Sequence, residues 1–390
     1  MIFQFRGPTQ LVFGEGAFSQ IGVRTAQYGK RVLLVTGRSA LIASGHVQRA
    51  QELLAQEGVE CELFAQIPAN PVADVIDQGA AAARAAGCDV VIGLGGGSAM
   101  DASKAIAVCA GMNGPVREFM LPDAQGNKRL PDASTLPVIC VTSTAGTSSE
   151  LTPFAVITIP ETKEKSAIRS EHIQARVAIA DPELTYSAPQ DVTAATGIDV
   201  LCHALESYIS ANATPVTDLM SQEAIRLVGQ YLPLACEDGG NVEARRQMML
   251  ANVFAGYGLA CCGATIMHGL EHPVSGHYNH VAHGAGLAAM LKPWARMLWS
   301  YMPEKFARVT ELLTGDCVGD IEDAAQRAEA TIGGLLQRVG LDVRLRDLGV
   351  EFDNLPTMVE DTCRYMAGAV KSTPGELTCE NVLELLQAAW

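Results

Sequence analysis

The feature of this 390-residue chain that most restricts its fold is a junction near residue 95. Val90-Val91-Ile92-Gly93-Leu94 is a short apolar run. Gly95-Gly96-Gly97 breaks it, and Ser98-Ala99-Met100-Asp101-Ala102-Ser103-Lys104 follows. An apolar, β-prone run that ends on glycine reads as a strand. Ser98 with Asp101 has the S-x-x-D form of a capping box and predicts a helix starting at Ser98. A strand turning directly into a helix is half of a βαβ unit, which commits this region to a parallel sheet. Glycines let a ligand approach the backbone closely, and a helix N-terminus offers unpaired N–H groups and a positive dipole end, a seat for phosphate. Ser98 stands where the last glycine of G-x-G-x-x-G would be. Taken alone, the loop is also readable as a tight turn with no ligand.

The same alternation extends through the first half. Strands are expected at Arg31–Thr36, Cys61–Phe64, Asp89–Leu94, Leu136–Val141, Phe154–Ile159 and Val177–Ala180, with helical stretches such as Val47–Glu57 and Val75–Ala86 between the early ones. From about Thr193 helical periodicity takes over. The length exceeds what one core serves. We therefore expect an α/β domain with a parallel sheet over residues 1–187 and an all-α domain over residues 188–390, cut near Ala188-Pro189. A second polar loop, Thr142-Ser143-Thr144-Ala145-Gly146-Thr147-Ser148-Ser149-Glu150, follows a strand end. That edge is where open α/β sheets bind ligands, and hydroxyls suit ribose or phosphate oxygens. An ordinary Ser/Thr turn is the alternative.

A net charge of -15 argues against nucleic acid and anionic membranes as partners. The stretch from Met1 to Gln10 lacks the basic start and apolar run of a signal peptide, and no run of about 18 apolar residues is present. The 11 cysteines are scattered with no CxxC pair, and read as reduced thiols in a cytoplasmic protein. The adjacent Cys261 and Cys262 read as packing residues.

Two segments concentrate metal-binding chemistry. Asp199 and His203 are four apart, so they share a helical face. Downstream, five of the chain's 8 histidines fall between His268 and His283. Imidazole plus carboxylate suits Fe(II) or Zn(II) with a position left for substrate. Spacing alone nominates His268 and His272 as a pair and leaves His277, His280 and His283 undecided. Glu206, seven after Asp199, points to the same face as a supporting carboxylate.

These residues resemble the iron-containing (type III) alcohol dehydrogenases of the dehydroquinate-synthase-like superfold. The matching pieces are Phe13-Gly14-x-Gly16, Gly95-Gly96-Gly97-Ser98-x-x-Asp101-x-x-Lys104, Thr144-Ala145-Gly146-Thr147-x-x-Glu150, Asp181-Pro182-x-Leu184, Ala195-x-Gly197-x-Asp199-x-x-x-His203-x-x-Glu206, and His268-x-x-x-His272-Pro273 leading to His283-Gly284. They span roughly residues 3 to 300, and His283-Gly284-Ala285-Gly286-Leu287 is closest to the butanol-dehydrogenase-like branch. Where many relatives read Asn-Pro-Arg near the C-terminus, this chain has Thr373-Pro374-Gly375.

The resemblance implies a dinucleotide-binding α/β domain followed by a helical domain. It implies a metal, Fe2+ with Zn2+ as the alternative, held by Asp199, His203, His268 and His283, with His272 near the site as a proton relay and not a ligand. It implies a cofactor set of Gly37, Arg38, Ser39, Asn70, Gly96, Gly97, Ser98, Asp101, Thr142, Ser143, Thr147, Lys165 and Leu184. The implied reaction is hydride transfer between NAD(P)(H) and a small alcohol, aldehyde or ketone, by a cytoplasmic homo-oligomer. Many members place an Asp after the first long strand, where it repels a 2′-phosphate. Gly37 stands there in this chain, followed by Arg38 and Ser39, so the cofactor, NADP(H) or NAD(H), is expected to include the phosphorylated form. The rival readings are a zinc polyol dehydrogenase resembling glycerol dehydrogenase, a dehydroquinate-synthase-like lyase, against which the sparse Lys and Arg around the histidines speak, and a non-catalytic nucleotide-binding relative, against which the filled ligand positions speak.

Overall fold

The computed structural model describes residues 2–122, 126–317 and 319–390. Residue 1 and residues 123–125 of the expected 1–187 domain, and residue 318 of the expected 188–390 domain, lie outside the described residues. Six strands form one parallel sheet: β1 (Gln10–Phe13), β2 (Arg31–Gly37), β3 (Glu60–Ile67), β4 (Val90–Gly95), β5 (Val138–Thr142) and, after a hairpin, β8 (Val177–Ala180). Their order is β1-β8-β5-β4-β2-β3. Alternate side chains face opposite sides. Leu33, Val35, Val91 and Cys140 join one buried cluster, and Val32, Leu34, Val90, Ile92, Ile139 and Val141 the other. A sheet covered on both faces needs apolar residues at successive positions, which is why these strands read as unbroken apolar runs. From β2 the chain adds β3 on one side and then β4 on the other. The carboxyl ends of β2 and β4, at Gly37 and Gly95, therefore flank the point where strand order reverses, the place ligands occupy in such sheets.

The expected strand at Phe154–Ile159 forms, but outside the parallel sheet. It is β6, paired antiparallel with β7 (Glu164–Arg169). The reversal passes through Lys163, whose φ is 56°. Sequence patterning misses β7, with its charged residues, and the four-residue edge strand β1.

The helix after β4 runs Gly97–Gly111 with Gly96 as its N-cap, so the capping box expected at Ser98 does not form. Ser98 Oγ donates instead to the Ala69 carbonyl. Asp101 accepts from Ser149 Oγ at 2.5 Å and from the Val156 N–H at 3.0 Å. Glycine at the cap leaves the first N–H groups without a competing side chain. Lys104, wholly buried, donates to Ser149 Oγ at 2.9 Å and to the carbonyls of Thr152 and Phe154 at 2.9 and 2.7 Å, which ties this helix to the segment leading into β6.

The described residues group into two compact units, one comprising residues 2–6, 145–148 and 186–390, the other residues 7–144 and 149–185. The first is helical, with long helices Gln190–Ile209, Pro215–Glu237, Val242–Cys262, Ile266–His277 and His283–Leu298 around its own apolar core. No single helix among the described residues is long and apolar enough to cross a membrane. One expectation is corrected here. Nine cysteines are free, but Cys363 and Cys379 form a disulfide. The helices Leu355–Tyr365 and Cys379–Ala389 pack together and bring their Cα atoms to 6.8 Å, a pairing that a 16-residue separation does not announce.

Candidate metal centre

Three helices of the helical unit bring three histidines around Asp199; the ligand atoms of Asp199, His268 and His283 all lie within 4.8 Å of one another, and His203 joins them through its approach to Asp199. Helix Gln190–Ile209 contributes Asp199 and His203 from one face. Helix Ile266–His277 contributes His268 from its first turn, where Thr373 Oγ accepts from the Ile266 N–H at 3.0 Å. Helix His283–Leu298 contributes its first residue. Gly284 permits that placement, since a Cβ there would lie 2.0 Å from the Ala195 carbonyl oxygen, on the helix bearing Asp199.

Asp199 Oδ1 lies 3.5 Å from Nε2 of His203, 3.4 Å from Nε2 of His268 and 3.7 Å from Nε2 of His283. Asp199, His203 and His268 are buried. Asp199 Oδ1 and His268 Nε2 have no hydrogen-bond partner among the described residues. Burying such atoms unsatisfied is costly, so their convergence fits a cation that satisfies both.

The other nitrogen of each ring is fixed. His203 Nδ1 meets the Gly146 carbonyl at 3.2 Å, His268 Nδ1 meets Glu206 Oε2, and His283 Nδ1 meets Glu271 Oε2. Carbonyl and carboxylate oxygens only accept, so Nδ1 is the donor in each ring and Nε2 is the nitrogen left facing Asp199. Glu206 is itself anchored: its Oε1 accepts from Thr265 Oγ at 2.6 Å and from the N–H groups of Thr265 and Met267 at 3.0 and 2.9 Å. Sequence reasoning found Glu206 but missed Glu271. Its signal was its place three residues after His268, on the same helical face.

Burial penalises the Asp199 carboxylate, but the facing His203, His283 and His268 overcome this and hold it well below its ordinary range. Burial, with His268 and His283 adding, pushes His203 down to about 4 against the pull of Asp199. A neutral imidazole and an ionised carboxylate are the forms that bind metal. For His268 burial is outweighed by Glu206 and Asp199, which raise it to about 10.

His272 is buried beside this group, its ring 6.3 Å from that of His268 and 5.9 Å from that of His283. Its ligand atoms are close to those of Glu271 and His283, whereas His268 and His283 are grouped with Asp199. His277 is bonded to Asp361 at 2.9 Å and His280 to the Leu348 carbonyl at 3.1 Å.

In the sheet unit, Gly95 has a φ of 152° that disfavours any side chain. A Cβ on Gly96 would stand 3.4 Å from Thr144 Oγ, ordinary contact. Ser143 N–H bonds the Gly95 carbonyl at 2.9 Å and Thr142 Oγ the Thr144 carbonyl at 2.8 Å, which joins the two polar loops. The Ser98 bond to Ala69 sets Asn70 beside the glycine turn. Gly37 pairs with Ile67, Arg38 is exposed with Nε 3.4 Å from the Gln66 carbonyl, and Ser39 precedes the short helix Ala40–Ala43. Lys165 is buried on β7 opposite Thr158, and Leu184 is buried in one sheet-face cluster. Thr147 belongs to the segment 145–148 of the helical unit.

The chain matches two family descriptions, "Iron-containing alcohol dehydrogenase" over residues 8–182 and "Fe-containing alcohol dehydrogenase family, C-terminal" over residues 193–390. It is 36% identical to a 1,3-propanediol dehydrogenase of Klebsiella pneumoniae, over 92% of each chain. It is 30% identical to an NAD-dependent methanol dehydrogenase of Bacillus methanolicus, over 98% of each. Among solved structures it superposes on an archaeal halo-thermophilic alcohol dehydrogenase from a Red Sea brine pool with a TM-score of 0.95, at 35% identity and with all of both chains covered.

Proposed function

The chain belongs to the iron-containing alcohol dehydrogenases, and from that premise we propose that Asp199, His203, His268 and His283 hold its metal while the glycine turn after β4 seats its dinucleotide. The reaction is hydride transfer between a nicotinamide cofactor and a small alcohol, aldehyde or ketone. The observation that carries the metal assignment is the approach of three Nε2 atoms to Asp199 Oδ1, each ring tied back through Nδ1.

When bound, the metal polarises the substrate oxygen and the nicotinamide exchanges the hydride. The chain's own residues prepare for both. Asp199 brings negative charge to the cation, and the Nδ1 acceptors hold the three rings in one tautomer and orientation. His272 is one helical turn from His268, and its imidazole holds and passes on the proton that an alcohol loses on oxidation. The N–H groups opening helix Gly97–Gly111 receive the pyrophosphate. Gly37, Arg38 and Ser39 leave room and positive charge for a 2′-phosphate, so NADP(H) is used and preferred. Asn70, Ser98, Asp101, Thr142, Ser143, Thr147, Lys165 and Leu184 complete the proposed dinucleotide set, with Asp101 and Leu184 shaping the site from within. The net charge of -15 speaks against nucleic-acid and anionic-membrane partners, and we take the enzyme to be cytoplasmic and to act as a homo-oligomer.

The test is a screen of NADH and NADPH consumption against small aldehydes and ketones, on iron-loaded, zinc-loaded and metal-stripped protein. Turnover restored by iron supports the reading. Full turnover in metal-stripped protein rejects it, and activity with zinc alone moves the enzyme to the zinc polyol-dehydrogenase alternative.

A further inference from the structure

His283 differs from the other two histidines around Asp199. His203 and His268 sit inside packed helices with their rings stacked at 4.6 Å and 14°. His283 opens its helix directly after the loop 278–282, and its side chain is 25% exposed against 5% for each of the others. A ring at a helix end, partly open to solvent, needs a tether if its Nε2 is to stay aimed.

Glu271 supplies one. It is wholly buried, lies on the helix that carries His268, and directs Oε2 at His283 Nδ1. Space for it comes from Gly286, where a Cβ would stand 3.2 Å from Glu271 Cγ and 3.3 Å from Oε1. Gly286 is the fourth residue of helix His283–Leu298, so the carboxylate rests against that helix's first turn, where the dipole favours negative charge. The missing side chain at 286 and the carboxylate at 271 thus form one device.

We propose that Glu271 is a positioning residue that aims His283 at the metal, the counterpart of Glu206 behind His268. This rests on the ligand assignment above. The experiment uses the full-length chain stripped of metal and titrated with Co(II) against a competing chelator, following the visible absorption of the bound ion and the melting temperature with and without metal. Losing a carboxylate that orients a metal-binding histidine costs roughly 10–100-fold in affinity. Glu271→Gln is expected to weaken Co(II) binding by about that factor and to alter the cobalt spectrum, while the metal-free protein melts no lower than wild type. Gly286→Ala, which crowds the same carboxylate, should shift both readouts in the same direction and serves independently if Glu271→Gln does not fold. His280→Ala should bind Co(II) as wild type does. Wild-type affinity and spectrum in both Glu271→Gln and Gly286→Ala overturn the proposal. So does complete loss of metal in Glu271→Gln, equal to that in His283→Ala, which would make Glu271 a ligand. Failure of the ligand assignment itself looks different: His283→Ala would then bind Co(II) normally.

Discussion

The three histidines around Asp199 commit Nδ1 to an oxygen acceptor and keep Nε2 toward Asp199, whereas His277 and His280 commit Nε2, and this separates the proposed ligands from the other two more sharply than spacing does. His268→Ala should lose both metal and turnover, whereas His272→Ala should keep most of its metal and lose turnover by about 10²-fold, the lower range for removing a general acid–base group. Metal analysis and steady-state rates on both variants check this, and metal loss in His272→Ala would make it a ligand. Acid provides a second test. With His203 pushed down to about 4, the unfolded chain holds a proton that the folded one lacks between its ordinary value of about 6.5 and that point. The contribution of His203 to the stability of the metal-free protein is therefore fully present above this window and is lost as pH drops through it. His268 is protonated in both states across the window, and Asp199 titrates below it. The melting temperature of metal-free protein should decline from pH 6.5 to 4, and less so in His203→Asn. A flat profile would contradict the assigned state of His203. The sequence exposes the clustered histidines and the Asp199–His203 spacing. Separating His283 from His277 and His280 needs the three-dimensional partners Glu271, Asp361 and the Leu348 carbonyl.

Among the elements, two glycines three residues apart, Gly93 and Gly96, do different jobs. A Cβ on Gly93 would fall 2.5 Å from Ser103 Oγ and 2.9 Å from Met100 Cα, so this glycine lets the helix lie directly on β4. Gly93→Ala should cost about 1–3 kcal/mol of stability by overpacking, read by urea unfolding. Gly96 has room for a Cβ, so Gly96→Val should fold and lose dinucleotide binding by calorimetric titration. Unchanged cofactor affinity there removes the turn from the site. At the end of β2, a Cβ on Gly37 has only the Ile67 carbonyl oxygen at 3.8 Å nearby, so Gly37→Asp is sterically allowed. Like charges placed together cost more than about 1 kcal/mol, so kcat/KM with NADPH should fall at least about fivefold relative to NADH. A strong wild-type preference for NADH would defeat the NADP(H) reading. The buried central strands are legible because both faces need apolar residues. The edge strand β1 and the hairpin strand β7 are not, because neither is under that demand at every position. The helix is capped by Gly96 and not by Ser98, two residues later, because Ser98 and Asp101 satisfy tertiary partners instead of the cap.

For the whole molecule, all four proposed ligands lie in the helical unit, while the glycine turn lies in the sheet unit. Removing metal should speed amide hydrogen exchange around Asp199, His268 and His283 and leave β2, β4 and β5 protected, by mass spectrometry of metal-loaded and stripped protein. Equal loosening of both units would show that the ion stabilises more than its own helices. The broad division into α/β and helical parts is legible from where strand patterning stops. The assignment of residues 145–148 to the helical unit is not, because it depends on Asn252, whose Oδ1 accepts from the Gly146 and Ser148 N–H groups at 2.9 and 3.1 Å and whose carbonyl accepts from Ser148 Oγ at 2.8 Å. That insertion bears on recombination. A chimera joined once near residue 186 would combine one parent's loop with the other parent's Asn252, and with it the carbonyl that orients His203. Exchanging the sheet unit cleanly takes four crossovers, after residues 6, 144, 148 and 185, so shuffled libraries of such genes will yield active progeny mainly where both parents carry this tetrapeptide and its asparagine in common.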